Sequence, residues 1–237
     1  MSTSISQYVS DPNVLNIYLF GSRVYGTATP ESDYDYIIVA QNFFDSCNVN
    51  IHVYTVEQFR LLLERHDIQA LECIFAPAMF KIKEHYPYFK IDEIDKAKLR
   101  VAISTIASNS WVKAKKKLTV SGDYSVELGI KSAFHSLRIL DFGIQIASSG
   151  RIQNYGSMNW VMKDLKNLVN NYQHEELWNK IDKKFRTEYN SKSSEFKKLA
   201  PKDLTEIDNK VKLKEVLKKH GIDSKELVND IMFIFKS

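Results

Sequence analysis

The residues whose types and spacing are best suited to chemistry lie between positions 21 and 35, in "GSRVYGTATPESDYD". Gly21 and Ser22 stand directly after a β-branched and aromatic run, "VLNIYLF" (14–20), and Asp33 and Asp35 open a second such run, "YDYIIVA" (34–40). Glycine lets the backbone approach a ligand closely. Successive N–H groups near a helix start hold phosphate, and Ser22 adds a hydroxyl donor. Asp33 and Asp35 are two residues apart, so on a strand both carboxylates project from one face. Side by side they repel unless a cation neutralises them. A hard, oxygen-preferring ion, Mg²⁺ or Mn²⁺, fits, with a triphosphate supplying further ligands. This chemistry is that of phosphoryl or nucleotidyl transfer, where metal ions clamp the attacking and leaving oxygens. Alone, an Asp-x-Asp pair reads as a solvated turn. The Gly-Ser upstream, in a strand–loop–strand setting, makes it a candidate site.

A second set lies far away in sequence. Lys131, His135 and Arg138 are spaced by four and three residues and share one face of a helix. Three cation-capable groups on one face need an anion, either a nucleotide phosphate or a carboxylate of Asp33, Asp35 or Asp141. The alternative is a solvated basic face with a half-buried His135. The clusters "WVKAKKKL" (111–118) and "KKFRTEYNSKSSEFKKLAPK" (183–202) mix basic groups with Phe185, Tyr189 and Phe196. Such composition suits nucleic-acid binding and amphipathic surface helices equally. "RLLLERH" (60–66) matches an Arg-x5-His spacing seen in some helical ribonucleases, and is discounted because it lies outside the long helices.

The elements that must position these residues are legible in outline. "NVNIHVYT" (48–55) alternates and reads as a third strand, so the first part of the chain predicts one mixed sheet. Thr55 and Gln58 form a capping-box pattern opening a helix through "VEQFRLLLERH", and "IQALECIFAP" continues helical to Pro77. From about residue 92 the pattern is helical almost throughout. Long helices are expected over "DEIDKAKLRVAISTIASNSWVKAKKKL" and over "SVELGIKSAFHSLRILDFGIQIASSG", the latter stopped at Gly150. "SMNWVMKDLKNLVNN" and "HEELWNKIDKKFRTEY" read as two more, and "SKSSEFKKLAPK" as a loop or partly helical link. A further helix is expected from an Asp203-x-x-Glu206 cap to Gly221, and a short last one from Asp223. The fold class is α+β: a mixed sheet with flanking helices over residues 1–91, then an all-helical domain over 92–237.

Charge divides in the same place. Residues 1–100 hold 9 Lys and Arg against 13 Asp and Glu, and residues 101–237 hold 24 against 16. An acidic front and a basic back suit a metal or nucleotide site beside a polyanion-tolerant surface; lysines solvating helices would give the same balance. Cys47 and Cys73 fit no zinc or redox spacing and are expected as free thiols. No apolar run reaches the length of a membrane span and no signal-peptide pattern opens the chain, so a cytoplasmic location without membrane association is expected.

The stretch 21–35 resembles a known family. Gly-Ser, ten residues, then Asp-x-Asp is the signature of the DNA polymerase β-like nucleotidyltransferase superfamily. The longer pattern Gly-Ser-Arg-x-Tyr-Gly followed by Pro-x-Ser-Asp-x-Asp is similar to a bacterial and phage subgroup of predicted nucleotidyltransferases. "YTVEQFRLLLERHDIQALECIFAP" and "KSAFHSLRILDFGIQIASSGRI" (131–152) are similar to helices of that subgroup, so the resemblance spans about 18–152. It implies transfer of a nucleoside monophosphate from an NTP, with ATP the expected nucleotide, to an acceptor hydroxyl on RNA, DNA, protein or a small molecule. Gly21 and Ser22 would hold the triphosphate, and Asp33 and Asp35 the metal. Arg23 would reach the phosphates or brace the loop, and Tyr25 and Gly26 would shape it. Lys131, His135 and Arg138 would face the nucleotide.

The superfamily also places a third carboxylate on the next strand, where it completes the metal site and helps deprotonate the acceptor. Counting back from Phe59 puts Asn50 at that position and His52 at a frequent Glu. Asn50 offers a neutral oxygen to a metal and no base. His52 is either a base or ligand, or an ordinary strand histidine; Asp45, in the preceding loop, is a weak substitute. Three readings follow: activity with fewer carboxylates, binding of nucleotide or nucleic acid without turnover, or a residue altered from the natural one. An antitoxin or anti-defence interaction protein on the same fold is a further alternative.

Overall fold

β1 (Val14–Phe20), β2 (Asp35–Ala40), β3 (Ile51–Thr55) and β4 (Lys81–Glu84) form one mixed sheet in the order β3-β2-β1-β4. β1 is antiparallel to both β2 and β4, and β2 runs parallel to β3. The computed structural model describes residues 5–85 and 89–202, and the chain up to Ala200 forms one compact unit. The helices expected over 203–221 and from Asp223 lie outside the described residues. The fold is mixed α+β, as the sequence predicts. β4, a four-residue edge strand "KIKE", is an addition to that reading.

Register fixes what each sheet face carries. Tyr18 pairs with Ile37, and Ile37 with His52. Side chains at paired positions share a face, so Tyr18, Ile37 and Val39 join the main core against the helices. The opposite face buries Ile17, Ile38 and Ile51 under Tyr8 of α1 (Ser6–Val9), with Phe44 stacked on Tyr8 at 5.4 Å. Between β1 and β2 the chain makes one short turn of helix, α2 (Ser22–Tyr25), which sequence reasoning treats as loop.

After β3 the expected capping box is present: Thr55 Oγ1 accepts from Gln58 N at 3.2 Å and Gln58 Oε1 from Thr55 N at 2.9 Å. It opens α3 (Val56–Glu64). The helix does not run on to Pro77. His66 takes φ 57°, Asp67 caps a new start, and α4 (Ile68–Phe75) turns away.

α5 (Lys96–Thr119) begins where Asp95 accepts from Ala97 N and Lys98 N, four residues later than expected. Its inward stripe is Leu99, Ile103, Ala107, Trp111, Ala114 and Leu118. α6 (Val126–Ser149) is the central helix, ended by Gly150 at φ 76°. α7 (Asn159–Asn171) and α8 (His174–Leu199) pack on it. Of the two readings of "SKSSEFKKLAPK", loop or partly helical link, the structure has the second: α8 runs on through it to Leu199. The apolar rhythm Ile181, Phe185, Tyr189, Phe196 continues through the polar tract, and Phe196 is fully buried against α6. A Cβ at Gly143 would crowd both Ile103 and the Phe196 ring, so this glycine lets α5, α6 and α8 approach.

Candidate functional site

The turn leaving β1 carries the first half of the site. Gly21 holds φ 78°, ψ −153°, a backbone region restricted to glycine, and caps α2. A Cβ there would overlap the carboxylate of Asp35. Gly21 and Asp35, fourteen residues apart in sequence, therefore lie against one another. Phe20 pairs with Asp35 across β1 and β2, which sets this approach.

The second half gathers around Asp35. Burial and the neighbouring Asp33 push its carboxyl up, while His52 and Lys131 pull it down. Asp33, Asp35, His52 and Lys131 thus share one electrostatic neighbourhood, drawn from the loop before β2, from β2, from β3 and from α6. Asp33, His52 and Lys131 are exposed and Asp35 is half-buried. Asn50 precedes β3, and its carbonyl accepts from Tyr36 N at 2.8 Å, so the strand pairing extends to it and alternation places it on the face of His52. Among the described residues no three His, Cys, Asp or Glu side chains form a metal-holding cluster. Asp33 and Asp35 remain as two hard oxygen donors above a glycine that leaves room at the carboxylate. They fit a Mg²⁺-like ion that completes its shell with phosphate and water oxygens. Asp45 is used locally, its Oδ1 accepting from Cys47 N at 3.0 Å.

Arg23 braces the loop. Its Nη2 donates to Ser32 O at 2.6 Å and its Nε to Asp33 O at 3.3 Å, and the guanidinium lies 3.7 Å from the centre of the Tyr34 ring. Ser22 begins α2, where Val24 N and Tyr25 N both close the turn on Gly21 O, at 3.0 and 3.2 Å, and the amides of Ser22 and Arg23 ahead of them have no carbonyl to reach within the helix.

Lys131, His135 and Arg138 do lie on one face of α6, but at different depths. Lys131 is exposed and pairs with Glu127 at 2.6 Å. Arg138 is 1% exposed. Its Nη1 donates to Glu72 Oε1 at 2.6 Å, and it lies 3.6 Å from the centre of the Tyr25 ring. Tyr25 donates to Glu72 Oε2 at 2.5 Å and Tyr155 donates to the Glu72 carbonyl at 2.7 Å. The anion answering Arg138 is thus Glu72, and neither Asp33, Asp35 nor Asp141. Asp141 is held instead by Lys192 at 2.7 Å and by Ser157 at 2.5 Å. Burial pushes the Glu72 carboxyl up, and Arg138 and Tyr25 draw it back.

His135 Nδ1 lies 2.9 Å from Arg138 Nη2. Arginine nitrogens only donate, so Nδ1 accepts and the ring is neutral. Burial first, then Arg138 and Lys113, push its pKa from 6.5 to about 3. Of the three cation-capable groups on this face, His135 is thus a neutral, half-buried ring with Nε2–H to offer.

Sequence reasoning missed Glu72 and Lys113. Glu72 carried a faint signal, a single acid inside the apolar run "IQALECIF". Lys113 is exposed on α5 and acts on His135 across the helix pair. The aromatic side chains of the basic segment 183–202 point inward: Phe185 and Phe196 are buried, and Tyr189 stacks on Trp111 at 4.9 Å. His66 is also structural, its buried ring accepting from Asp95 N at 2.9 Å.

A β1–turn–β2 unit bearing Gly-Ser and Asp-x-Asp on a mixed sheet, with helices facing the carboxylates, defines a polymerase β-like nucleotidyltransferase architecture. The nucleotidyltransferase domain family model matches residues 3–122, just over half of the chain, and the chain belongs to that family. No curated protein and no solved structure is significantly similar to it. No helix among the described residues is long and apolar enough to cross a membrane.

Proposed function

We propose that this protein transfers a nucleoside monophosphate from an NTP, with ATP the expected donor, to an acceptor hydroxyl on a nucleic acid, a protein or a small molecule. The observation carrying the proposal is that the Asp35 carboxylate lies against Gly21 and is the group on which Asp33, His52 and Lys131 act. Family membership gives the reaction class.

Asp33 and Asp35 would hold Mg²⁺, which when bound supplies charge neutralisation on the phosphates and on the acceptor oxygen. Ser22 and the amides of the α2 turn would hold the triphosphate, and Lys131 would stabilise charge developing on it. The acceptor oxygen attacks the α-phosphorus in line, its proton passes to His52 Nδ1 or Nε2, and the bond to the bridging oxygen breaks to release pyrophosphate. Arg138 acts one layer below, fixing His135 directly and Tyr25 through Glu72, and Arg23 keeps the loop in shape.

The test is transfer of label from an α-³²P-labelled NTP to RNA, protein extract or small hydroxyl compounds, with pyrophosphate release measured in parallel. Wild type should transfer and Asp33→Ala/Asp35→Ala should not. No transfer with any nucleotide, Mg²⁺ or Mn²⁺ would overturn the enzyme reading. A second reading, binding without turnover, is favoured by Asn50 at the place of the third carboxylate. Calorimetric binding of Mg²⁺–ATP without pyrophosphate release would establish it.

A further inference from the structure

Beside Gly21 the structure holds a cleft of about 330 Å³, bounded by Phe20, α4, Ile106 of α5 and His135 of α6. That volume lies within the range of small-ligand pockets, roughly 300–1,000 Å³. Its floor is the Glu72–Arg138 pair. The two charges cancel, and Asp67 adds a carboxylate to the wall, so the cleft is unsuited to a triphosphate. Its walls instead combine flat apolar surface, from Phe20, Ile68 and Ile106, with a few polar groups fixed in direction.

Those polar groups have defined roles. Arg138 Nη2 occupies His135 Nδ1, which leaves Nε2–H as the donor the ring offers. Tyr54 donates to Gln69 Oε1 at 3.4 Å, which leaves the Gln69 amide N–H groups. Asp67 caps α4 through Gln69 N at 2.9 Å, with Ala70 N also on its carboxylate, and its remaining lone pairs accept. Arg138 Nε is buried with no protein partner, an unmet donor beside the same cleft. Donors from His135 and Gln69 and an acceptor from Asp67 complement a purine, whose ring nitrogens accept and whose exocyclic amine donates. A purine ring also fills flat apolar walls better than a pyrimidine.

Building on the nucleotidyl-transfer reading above, we infer that this cleft is the base recess of the nucleotide site, that it takes a purine, and that the chain Glu72–Arg138–His135 positions His135 Nε2–H as the donor that reads the base. Burial keeps the ring neutral across the working pH range, so the donor pattern is constant. The chain also ties the recess to the catalytic turn, because Tyr25 of α2 donates to the same Glu72 carboxylate.

The experiment is calorimetric binding of ATP, GTP, CTP, UTP and inorganic tripolyphosphate, each with Mg²⁺, to the full chain and to His135→Phe and His135→Gln. Wild type should bind at least one purine nucleotide about tenfold or more tightly than either pyrimidine nucleotide and than tripolyphosphate. His135→Phe should erase most of that preference and leave tripolyphosphate affinity unchanged. His135→Gln, which keeps an N–H donor, should retain part of it. Equal affinity of wild type for all four nucleotides and tripolyphosphate overturns the recess and leaves the nucleotidyl-transfer reading standing, as does an equal loss for tripolyphosphate in His135→Phe. Failure of nucleotides and tripolyphosphate alike to bind overturns both. The wild-type ranking decides the matter even if a variant does not fold.

Discussion

Glu72 Oε1 and Arg138 Nη1 meet at 2.6 Å with both side chains 2% exposed, joining α4, which packs on the sheet, to the central helix α6. The second oxygen and the second terminal nitrogen of the pair also serve the site: Tyr25 donates to Oε2 and Nη2 donates to His135. Removing one partner strands a buried charge, which costs about 3–5 kcal/mol. Arg138→Met and Glu72→Leu should each lower the free energy of unfolding by that amount in denaturant titrations. The double variant should lose clearly less than the sum of the two, because neither charge is left uncompensated. Additive losses would show that the pair is not coupled as described.

Gly21→Ala tests the contact between the turn and Asp35. The backbone at φ 78°, ψ −153° disfavours any Cβ by about 1–3 kcal/mol, and this Cβ would also push the Asp35 carboxylate aside. The expected result is a moderate loss of stability with a much larger loss, a hundredfold or so, in metal-dependent nucleotide binding. Gly150→Ala serves as the comparison: it has a similar φ of 76° but open space around it, so it should cost stability alone.

What was legible in the sequence follows from what a single residue pattern can encode. Gly-Ser and Asp-x-Asp are local in sequence and close in space, so the turn and the carboxylates could be read directly. Thr55 with Gln58 is equally local and reappears as a capping box. The spacing of Lys131, His135 and Arg138 gave their shared face correctly. It could not give depth, because depth is set by α4 and α2 packing over one end of that face. Seven residues separate an exposed ammonium from a guanidinium that is 1% exposed. Glu72 was lost inside an apolar run, where the pattern reports burial and is silent on a partner 66 residues away. β4 was missed because four residues of an edge strand show too little alternation. The end of α8 was missed because serines and lysines on its outer face masked Phe196.

Acid should expose the histidine network. His135 is neutral in the fold with a pKa of about 3, against 6.5 ordinarily, and burial also pushes His66 down. For both, the unfolded chain takes up the proton first. Their contribution is therefore intact above pH 6.5 and is lost as pH falls below it, through the folded values. Each proton adds about 1.4 kcal/mol per pH unit to the slope. Unfolding free energy measured from pH 7 to pH 4 should fall less steeply in His135→Phe than in wild type, by close to one proton. Parallel slopes would mean that His135 is protonated in the fold and is not an acceptor for Arg138.

Asn50 offers a gain-of-function test. It stands one residue ahead of β3, where the resemblance expects a third acid, and its carbonyl already accepts from Tyr36 N. Asn50→Asp changes one amide to a carboxylate with little change in shape. Without metal it places a third negative charge near Asp33 and Asp35, so stability should fall slightly, by about 1 kcal/mol or less at this half-buried position. With Mg²⁺ or Mn²⁺ the added oxygen ligand should tighten metal binding, and the sign of the effect on stability should reverse. Thermal unfolding with and without 10-fold increments of metal reads this directly, and Asn50→Ala should show neither change. If Asn50→Asp raises pyrophosphate release as well, the site lacks only the carboxylate. If metal binding tightens while turnover stays at the wild-type level, His52 already supplies what the reaction needs from β3.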